Sequence, residues 1–131
     1  MAFDVKQKIL IIDDMSTMRK IIKNMLTKMG CDDLHEADDG TPAWEMIQSA
    51  YKADAPFDFI ISDWNMPGMT GLDLLKNLRS SAEFNTLPFL MVTAEAEQSN
   101  VVLAVKSGVS NFVVKPFNQE TLKMKIEKIF K

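Results

Sequence analysis

The segment "FDFIISDWNMPGMTGLD" at residues 57–73 decides the fold and raises the question of function. Its first part, residues 57–61, is apolar enough for a buried strand, but the chain then meets a carboxylate at Asp63 and breaks at Pro67 and Gly68. When a buried strand runs into a charged residue, that residue either has a function or is accessible to water. The residues at the other strand ends distinguish these two interpretations.

The composition is typical of one globular domain. The chain has 131 residues, of which 47% are hydrophobic and 25% charged, and this length suffices to bury a core without cross-links. We therefore expect residues 1–131 to form a single domain without an output domain. The net charge of −3 disfavours nucleic acid as a partner, because a phosphate backbone requires a basic surface.

The sequence predicts a cytoplasmic protein. Its single cysteine, Cys31, cannot form an internal disulfide, and its first residues, "MAFDVKQK", lack the apolar stretch of a signal peptide. No apolar run approaches the length needed to cross a bilayer, so we expect no membrane partner.

Short apolar runs alternate with longer segments of helical periodicity. The predicted strands are residues 8–12, 34–37, 57–61, 87–92 and 111–114, and a helix is expected after each of them. Ser16 and Gly30 are the expected N-cap and C-cap of the first helix. Pro42 suits the first turn of the second helix, and the third and fifth are predicted to begin with a capping box at Thr70 and Asp73 and an N-cap at Asn118.

Five successive strand–helix units predict an α/β fold, a doubly wound parallel sheet with helices on both faces. The strands are continuously apolar, as expected for strands that are covered on both sides. Ligands of such sheets bind at the carboxyl ends of the strands, near the point where the strand order reverses. The residues at these ends are therefore the candidates for function.

Polar residues stand at four of the five strand ends. Asp13 and Asp14 follow the first strand, Asp63 follows the third, Thr93 the fourth and Lys115 the fifth. Three carboxylates in one crevice repel each other unless a cation neutralises them, and an oxygen-rich acidic site suits Mg²⁺. Together with the lysine and the hydroxyl, this set predicts phosphoryl transfer to Asp63 as an attacking carboxylate.

Four separated motifs resemble the receiver domain of two-component response regulators. They are "DD" at 13–14, "SDWNMPGMTGLDLL" at 62–75, "MVTAEA" at 91–96 and "FVVKPF" at 112–117, and the likeness extends over essentially the whole chain, most strongly to the chemotaxis members. The resemblance implies a flavodoxin-like five-stranded sheet of order 2-1-3-4-5 with five helices. It also implies a cis peptide bond between Lys115 and Pro116.

The resemblance assigns Asp63 the role of phosphoryl acceptor, with Lys115 contacting the phosphoryl group and Thr93 hydrogen-bonding to it. It implies three Mg²⁺ ligands besides Asp63, namely Asp14 directly, Asp13 through water and Asn65 through its backbone carbonyl. The phosphoryl donor would be a chemotaxis-type histidine kinase, and a phosphatase is a further expected partner. On this view the protein is a monomeric signalling switch that catalyses its own phosphorylation and dephosphorylation and is not otherwise an enzyme.

The resemblance also implies a conformational switch and a docking face. Phe112 occupies the position of an aromatic switch that is usually tyrosine in chemotaxis members, and we expect it to move inward when Thr93 engages the phosphoryl group. The flagellar motor switch protein is the implied partner, and the face expected to bind it consists of Ala96, Val101, Phe112, Val114 and Lys125.

Three alternatives stay open at the level of sequence. The protein could be a phosphate sink or phosphorelay intermediate that does not bind the motor. A Mg²⁺-dependent phosphotransferase with an aspartyl intermediate would need an added substrate pocket, for which 131 residues leave little room. A flavin binder is disfavoured because Asp13 and Asp14 occupy the turn where a phosphate cradle is required.

Overall fold

The computed structural model describes residues 3–94 and 98–130, and for residues 98–101 it describes the backbone alone. Strands and helices alternate along the chain as predicted. They are β1 (Ile9–Ile12), α1 (Ser16–Lys28), β2 (Leu34–Ala37), α2 (Gly40–Lys52), β3 (Phe59–Asp63), α3 (Gly71–Arg79), β4 (Phe89–Thr93), α4 (Gln98–Lys106), β5 (Asn111–Val114) and α5 (Gln119–Ile129). Among the described residues, no helix is both long enough and apolar enough to cross a membrane.

The strands form one parallel sheet of order β2-β1-β3-β4-β5, so the predicted doubly wound fold and its strand order are confirmed. β1 lies between two partners, and Ile9 pairs with Leu34 of β2 on one side and with Phe59 of β3 on the other. The order therefore reverses at β1 and β3, and their carboxyl ends flank the crevice in which such folds bind ligands.

Helices cover both faces of the sheet because successive strand residues point to opposite sides. In β1, Ile9 and Ile11 pack under α1 and α5, whereas Leu10 and Ile12 pack under α2 and α3. The first cluster includes Ile22, Leu26, Leu122 and Ile126, and the second includes Ala43, Ile47, Leu74, Leu75 and Leu78. Each large aliphatic side chain buried in this way contributes about 1.5–3 kcal/mol, and the sheet is thereby a rigid support for its edge.

The predicted caps of α1 were wrong by one residue at each end. Met15 is the N-cap and Ser16 the first helical residue, because the Met15 N–H is bound by the Asp13 carboxylate of the preceding loop. Met29 is the C-cap, and Gly30 follows it with a φ of 102°, a left-handed conformation that favours glycine. The capping box of α3 and the Asn118 cap of α5 are confirmed.

The third strand also differs from its prediction, since it is shifted towards its carboxyl end and includes Asp63 itself. Phe57, which was expected to begin it, is buried but precedes the strand, whose first residue is Phe59. The Trp64 N–H continues the pairing by donating to the Val92 carbonyl of β4 at 2.9 Å. Asp63 is thus held by a paired strand rather than by a loose loop.

Candidate phosphoryl-acceptor and metal site

Carboxylates from two neighbouring strands meet at the carboxyl edge of the sheet. Asp13 and Asp14 follow β1 and Asp63 ends β3, and one oxygen of each lies within 4.8 Å of the others. Lys115, which follows β5, places its Nζ 3.1 Å from Asp13 Oδ2 and 3.3 Å from Asp63 Oδ1. The fold therefore brings together charged residues that are far apart in the sequence.

The site is electrostatically unfavourable because two of its carboxylates, Asp13 and Asp63, are buried close together. Asp13 is fully buried, Asp63 is 7% exposed, and Asp14 is exposed at the rim. Burial raises the pKa of Asp63, and the Asp13 charge raises it further, while Lys115 and the Trp64 N–H oppose the rise. One ammonium between two carboxylates leaves an excess of negative charge, so the pocket favours binding of a further cation.

The turn after Asp63 is held close to its backbone. Gly71, the first residue of α3, donates its N–H to the Trp64 carbonyl at 3.0 Å. A Cβ on Gly71 would overlap the Asp63 carbonyl oxygen. The backbone at the start of α3 therefore approaches the end of β3 so closely that only glycine fits. Thr70 and Asp73 fix the start of α3 by accepting each other's backbone N–H groups, at 3.1 Å and 3.4 Å. These contacts limit the movement of the strand end that carries the carboxylate.

The loop between β1 and α1 is held by Asp13 and Arg19. Asp13 Oδ1 accepts the Met15 N–H at 2.9 Å, and Arg19 Nη1 donates to the Asp13 carbonyl at 2.6 Å. Arg19 Nε also donates to Glu36 Oε1 of β2 at 3.0 Å. Arg19 was not among the predicted site residues, although an arginine one turn into the helix after an acidic pair was a visible signal.

β4 and β5 supply the other two predicted residues. Thr93 ends β4 and is 5% exposed, and its carbonyl accepts the Lys115 N–H at 2.7 Å. The peptide bond between Lys115 and Pro116 is cis, as predicted. Thr93 and Lys115 therefore lie at the same sheet edge as the carboxylates.

Three of the expected switch and docking residues lie on β5 and α5, namely Phe112, Val114 and Lys125. Phe112 is half-buried against the core, and Lys125 Nζ lies 5.0 Å from the centre of its ring. Val114 is half-buried, Val101 lies in α4 with its side chain outside the described atoms, and Ala96 lies outside the described residues. Phe112 and Lys125 thus form one contact on the predicted face.

The donor set fits a hard divalent cation. Three carboxylates provide oxygen ligands close together, and Asp14 gives access from solvent. Asn65, two residues after Asp63, is exposed in the turn beside them, and its carbonyl as a ligand stays a prediction. Oxygen ligands of this kind suit Mg²⁺ or Ca²⁺, and a site with few carboxylates that leaves room for water and phosphate oxygens favours Mg²⁺.

Residues 9–127 match the response regulator receiver domain. The match covers most of the chain, including every strand and the acidic edge described above. The chain therefore belongs to the receiver domain family of two-component systems.

Curated relatives narrow the class further. The chain is 52% identical to chemotaxis protein CheY-3 of Vibrio cholerae over 94% of this chain and 91% of the relative. It is 54% identical to chemotaxis protein CheY of Pseudomonas aeruginosa, over 94% and 95%. The structure of V. cholerae CheY4 at low pH matches with a TM-score of 0.83 at 33% identity, over 95% and 98% of the two chains. The chain is thus a CheY-like chemotaxis regulator.

Proposed function

We propose that this protein is a chemotaxis switch that accepts a phosphoryl group on Asp63 and, when phosphorylated, binds the flagellar motor switch protein. The observation that carries the proposal is the buried Asp63 carboxylate, which lies beside two further carboxylates and within 3.3 Å of the Lys115 ammonium. The similarity to CheY proteins supports the same conclusion.

In the proposed reaction, a carboxylate oxygen of Asp63 attacks the phosphorus atom of a phosphohistidine on the kinase. The new P–O bond forms as the P–N bond breaks, and the imidazole leaves with the electron pair and takes up a proton. A Mg²⁺ ion held by Asp13, Asp14, Asp63 and Asn65 would offset the charge on the transferred group. Lys115 pairs with a phosphoryl oxygen, and the Thr93 hydroxyl donates a hydrogen bond to another.

The proposed response is a change in the face made by α4, β5 and α5. The α4 residues Val102, Leu103 and Val105 are exposed apolar side chains, and Val105 is 60% exposed. They adjoin in sequence the predicted docking residue Val101, and solvent-exposed apolar groups on one helix support partner binding there. Phe112 should move inward when Thr93 engages the phosphoryl group. Because it lacks the hydroxyl of tyrosine, it should favour this buried position more than tyrosine would.

We further propose that the protein acts as a monomer in the cytoplasm and turns over no external substrate. Its expected partners are a chemotaxis-type histidine kinase, the motor switch and a phosphatase. This role needs a site that holds the phosphoryl group for a time and a face that reports it, and the described residues offer candidates for both.

Mass spectrometry tests the chemical part of the proposal. Incubation with acetyl phosphate and Mg²⁺ should yield a phosphoryl adduct that maps to Asp63. The absence of any adduct on Asp63, with either acetyl phosphate or a cognate kinase, would remove the proposal.

Binding measurements test the motor role separately. The protein should bind a motor switch peptide more tightly with beryllofluoride and Mg²⁺ than without them. Equal binding in both states, in a protein that does accept phosphate on Asp63, would make it a phosphate sink or relay intermediate instead.

A further inference from the structure

We propose that Arg19 is a positioning residue for the metal site, holding the loop between β1 and α1 so that Asp13 and Asp14 face Asp63. The inference rests on the proposed Mg²⁺ site and adds a residue outside its ligand set.

The contacts of the guanidinium carry the inference. Arg19 Nη1 donates to the backbone carbonyl of Asp13 at 2.6 Å, and Nε donates to Glu36 Oε1 at 3.0 Å. The Arg19 side chain is 17% exposed, so it is largely withdrawn from water. Its hydrogen bond is the main cause that lowers the pKa of Glu36. One side chain therefore ties the loop after β1 to the neighbouring strand β2.

The start of α1 needs such a tie more than the other described helix starts do. α2, α3 and α5 begin after Asp39, Thr70 and Asn118, and each of these side chains accepts a backbone N–H of its own helix. α1 begins after Met15, an apolar residue that cannot cap in this way. Arg19 binds the loop from inside the helix instead.

The charges of the site oppose the position of the loop that Arg19 holds. Repulsion between the carboxylates of Asp13, Asp14 and Asp63 favours moving the loop that carries the first two away from the third. Because Arg19 binds the backbone carbonyl of Asp13, it resists this movement without occupying either carboxylate oxygen of Asp13. One of them already accepts the Met15 N–H, and the other contacts Lys115.

A simple surface ion pair is the competing explanation. Glu36 also pairs with Lys23 Nζ at 3.4 Å, and Lys23 has no contact with the Asp13 carbonyl among the bonds of the described residues. Lys23 therefore offers a matched control, since removing it deletes one positive charge from the same cluster but leaves the loop anchored.

Isothermal titration calorimetry of the full chain with MgCl₂ tests the proposal through binding rather than phosphorylation. Arg19→Met should bind Mg²⁺ about ten-fold more weakly than the parent, as is usual when a group that orients a ligand is lost. Loss of a positive charge alone would instead strengthen binding of a cation, so the sign separates positioning from charge. Lys23→Met should bind as tightly as the parent or slightly more tightly.

Arg19→Lys provides a second variant that keeps the charge and the helix. Lysine has no planar fork to reach Asp13 and Glu36 together, so we expect affinity between those of the parent and Arg19→Met. Arg19→Met with parent-like or tighter binding would overturn the inference, and so would Arg19→Lys with the full parent affinity. A parent protein that gives no Mg²⁺ binding would overturn both this inference and the proposed metal site, whereas parent binding with unaffected variants would overturn the inference alone.

Discussion

The two ends of the sheet treat their charges in opposite ways. At the amino end, Asp58 Oδ2 accepts the Lys8 N–H at 2.8 Å, Lys8 Nζ donates to the Ala55 carbonyl at 2.8 Å, and the same ammonium lies 4.7 Å from the centre of the Phe57 ring. At the carboxyl end, one lysine faces two buried carboxylates. At the amino end, the charges of Asp58 and Lys8 each have nearby partners. At the carboxyl end, the single positive charge of Lys115 does not balance the negative charge of the carboxylates.

This difference makes the carboxyl edge the candidate binding site, at which uncompensated charge should lower the stability of the fold. The apolar clusters extend along the whole sheet, so the unsatisfied charge is confined to the edge at which the strand order reverses. Like charges that are buried close together destabilise a protein until a ligand neutralises them. Substitutions at the two ends of the sheet should therefore differ in their effects, most strongly on phosphoryl uptake.

The largest effect concerns phosphoryl uptake. Asp63→Asn should abolish incorporation from acetyl phosphate, because an amide cannot act as the attacking carboxylate. Asp58→Asn, at the opposite end of the sheet, alters a carboxylate that accepts the Lys8 N–H next to β1 and should leave incorporation unchanged. Intact-protein mass spectrometry measures both, and uptake by Asp63→Asn at the parent level would show that Asp63 is not the acceptor.

Lys115→Met should destabilise the protein without Mg²⁺ by about 3 kcal/mol, because it leaves the buried Asp13 and Asp63 carboxylates without a cation. Added Mg²⁺ should restore much of this loss by replacing the missing charge. Urea unfolding with and without the ion measures the effect. Lys8→Met is the control at the amino end, and it should cost less and gain no more from Mg²⁺ than the parent does, because its metal site is intact. An equal gain from Mg²⁺ in the two variants would contradict the contrast.

Gly71→Ala should destabilise the fold by about 2 kcal/mol, because the added methyl group overlaps the Asp63 carbonyl oxygen and forces the backbone apart. Mg²⁺ affinity should fall with it, since the strand end that carries the acceptor must shift. Urea unfolding and Mg²⁺ titration give the two results. Unchanged stability would mean that the turn after β3 adapts more easily than its contacts indicate.

The smallest effect is on the pH dependence of stability. The pKa of Asp63 is raised by burial and by Asp13, so the folded protein binds this proton more tightly than the unfolded chain does. The free energy of unfolding therefore decreases as pH rises from the ordinary aspartate pKa through the raised folded value. Above this pH window and without metal, the free energy of unfolding of Asp63→Asn should exceed that of the parent. The difference should be smaller than the loss of stability expected for Gly71→Ala.

Thermal unfolding at a series of pH values measures this difference. The advantage of Asp63→Asn should shrink at acidic pH, where Asp63 in the parent becomes protonated, and with Mg²⁺ at neutral pH. A parent that is more stable than Asp63→Asn at neutral pH without metal would show that Lys115 outweighs the burial and repulsion of this carboxylate.

Local signals in the sequence were enough for the order of the elements and for several of their ends. The capping box at Thr70 and Asp73 and the cap at Asn118 depend on neighbours three residues away, so the sequence determined them. The cap of α1 was mispredicted because its contact comes from Asp13, in a loop that also serves the site. A local sequence pattern does not show that one carboxylate, Asp13, both binds the Met15 N–H and belongs to the site.

The candidate site divides in the same way. Acidic, hydroxyl and lysine residues at successive strand ends can be read from the sequence, because parallel strands place their carboxyl ends at one edge. The tertiary structure alone decided that Lys115 lies between Asp13 and Asp63, and that Arg19 reaches both Asp13 and Glu36. These contacts depend on the distances between helices and strands, and those distances are set by tertiary packing. The periodicity of apolar residues along the chain does not predict such distances.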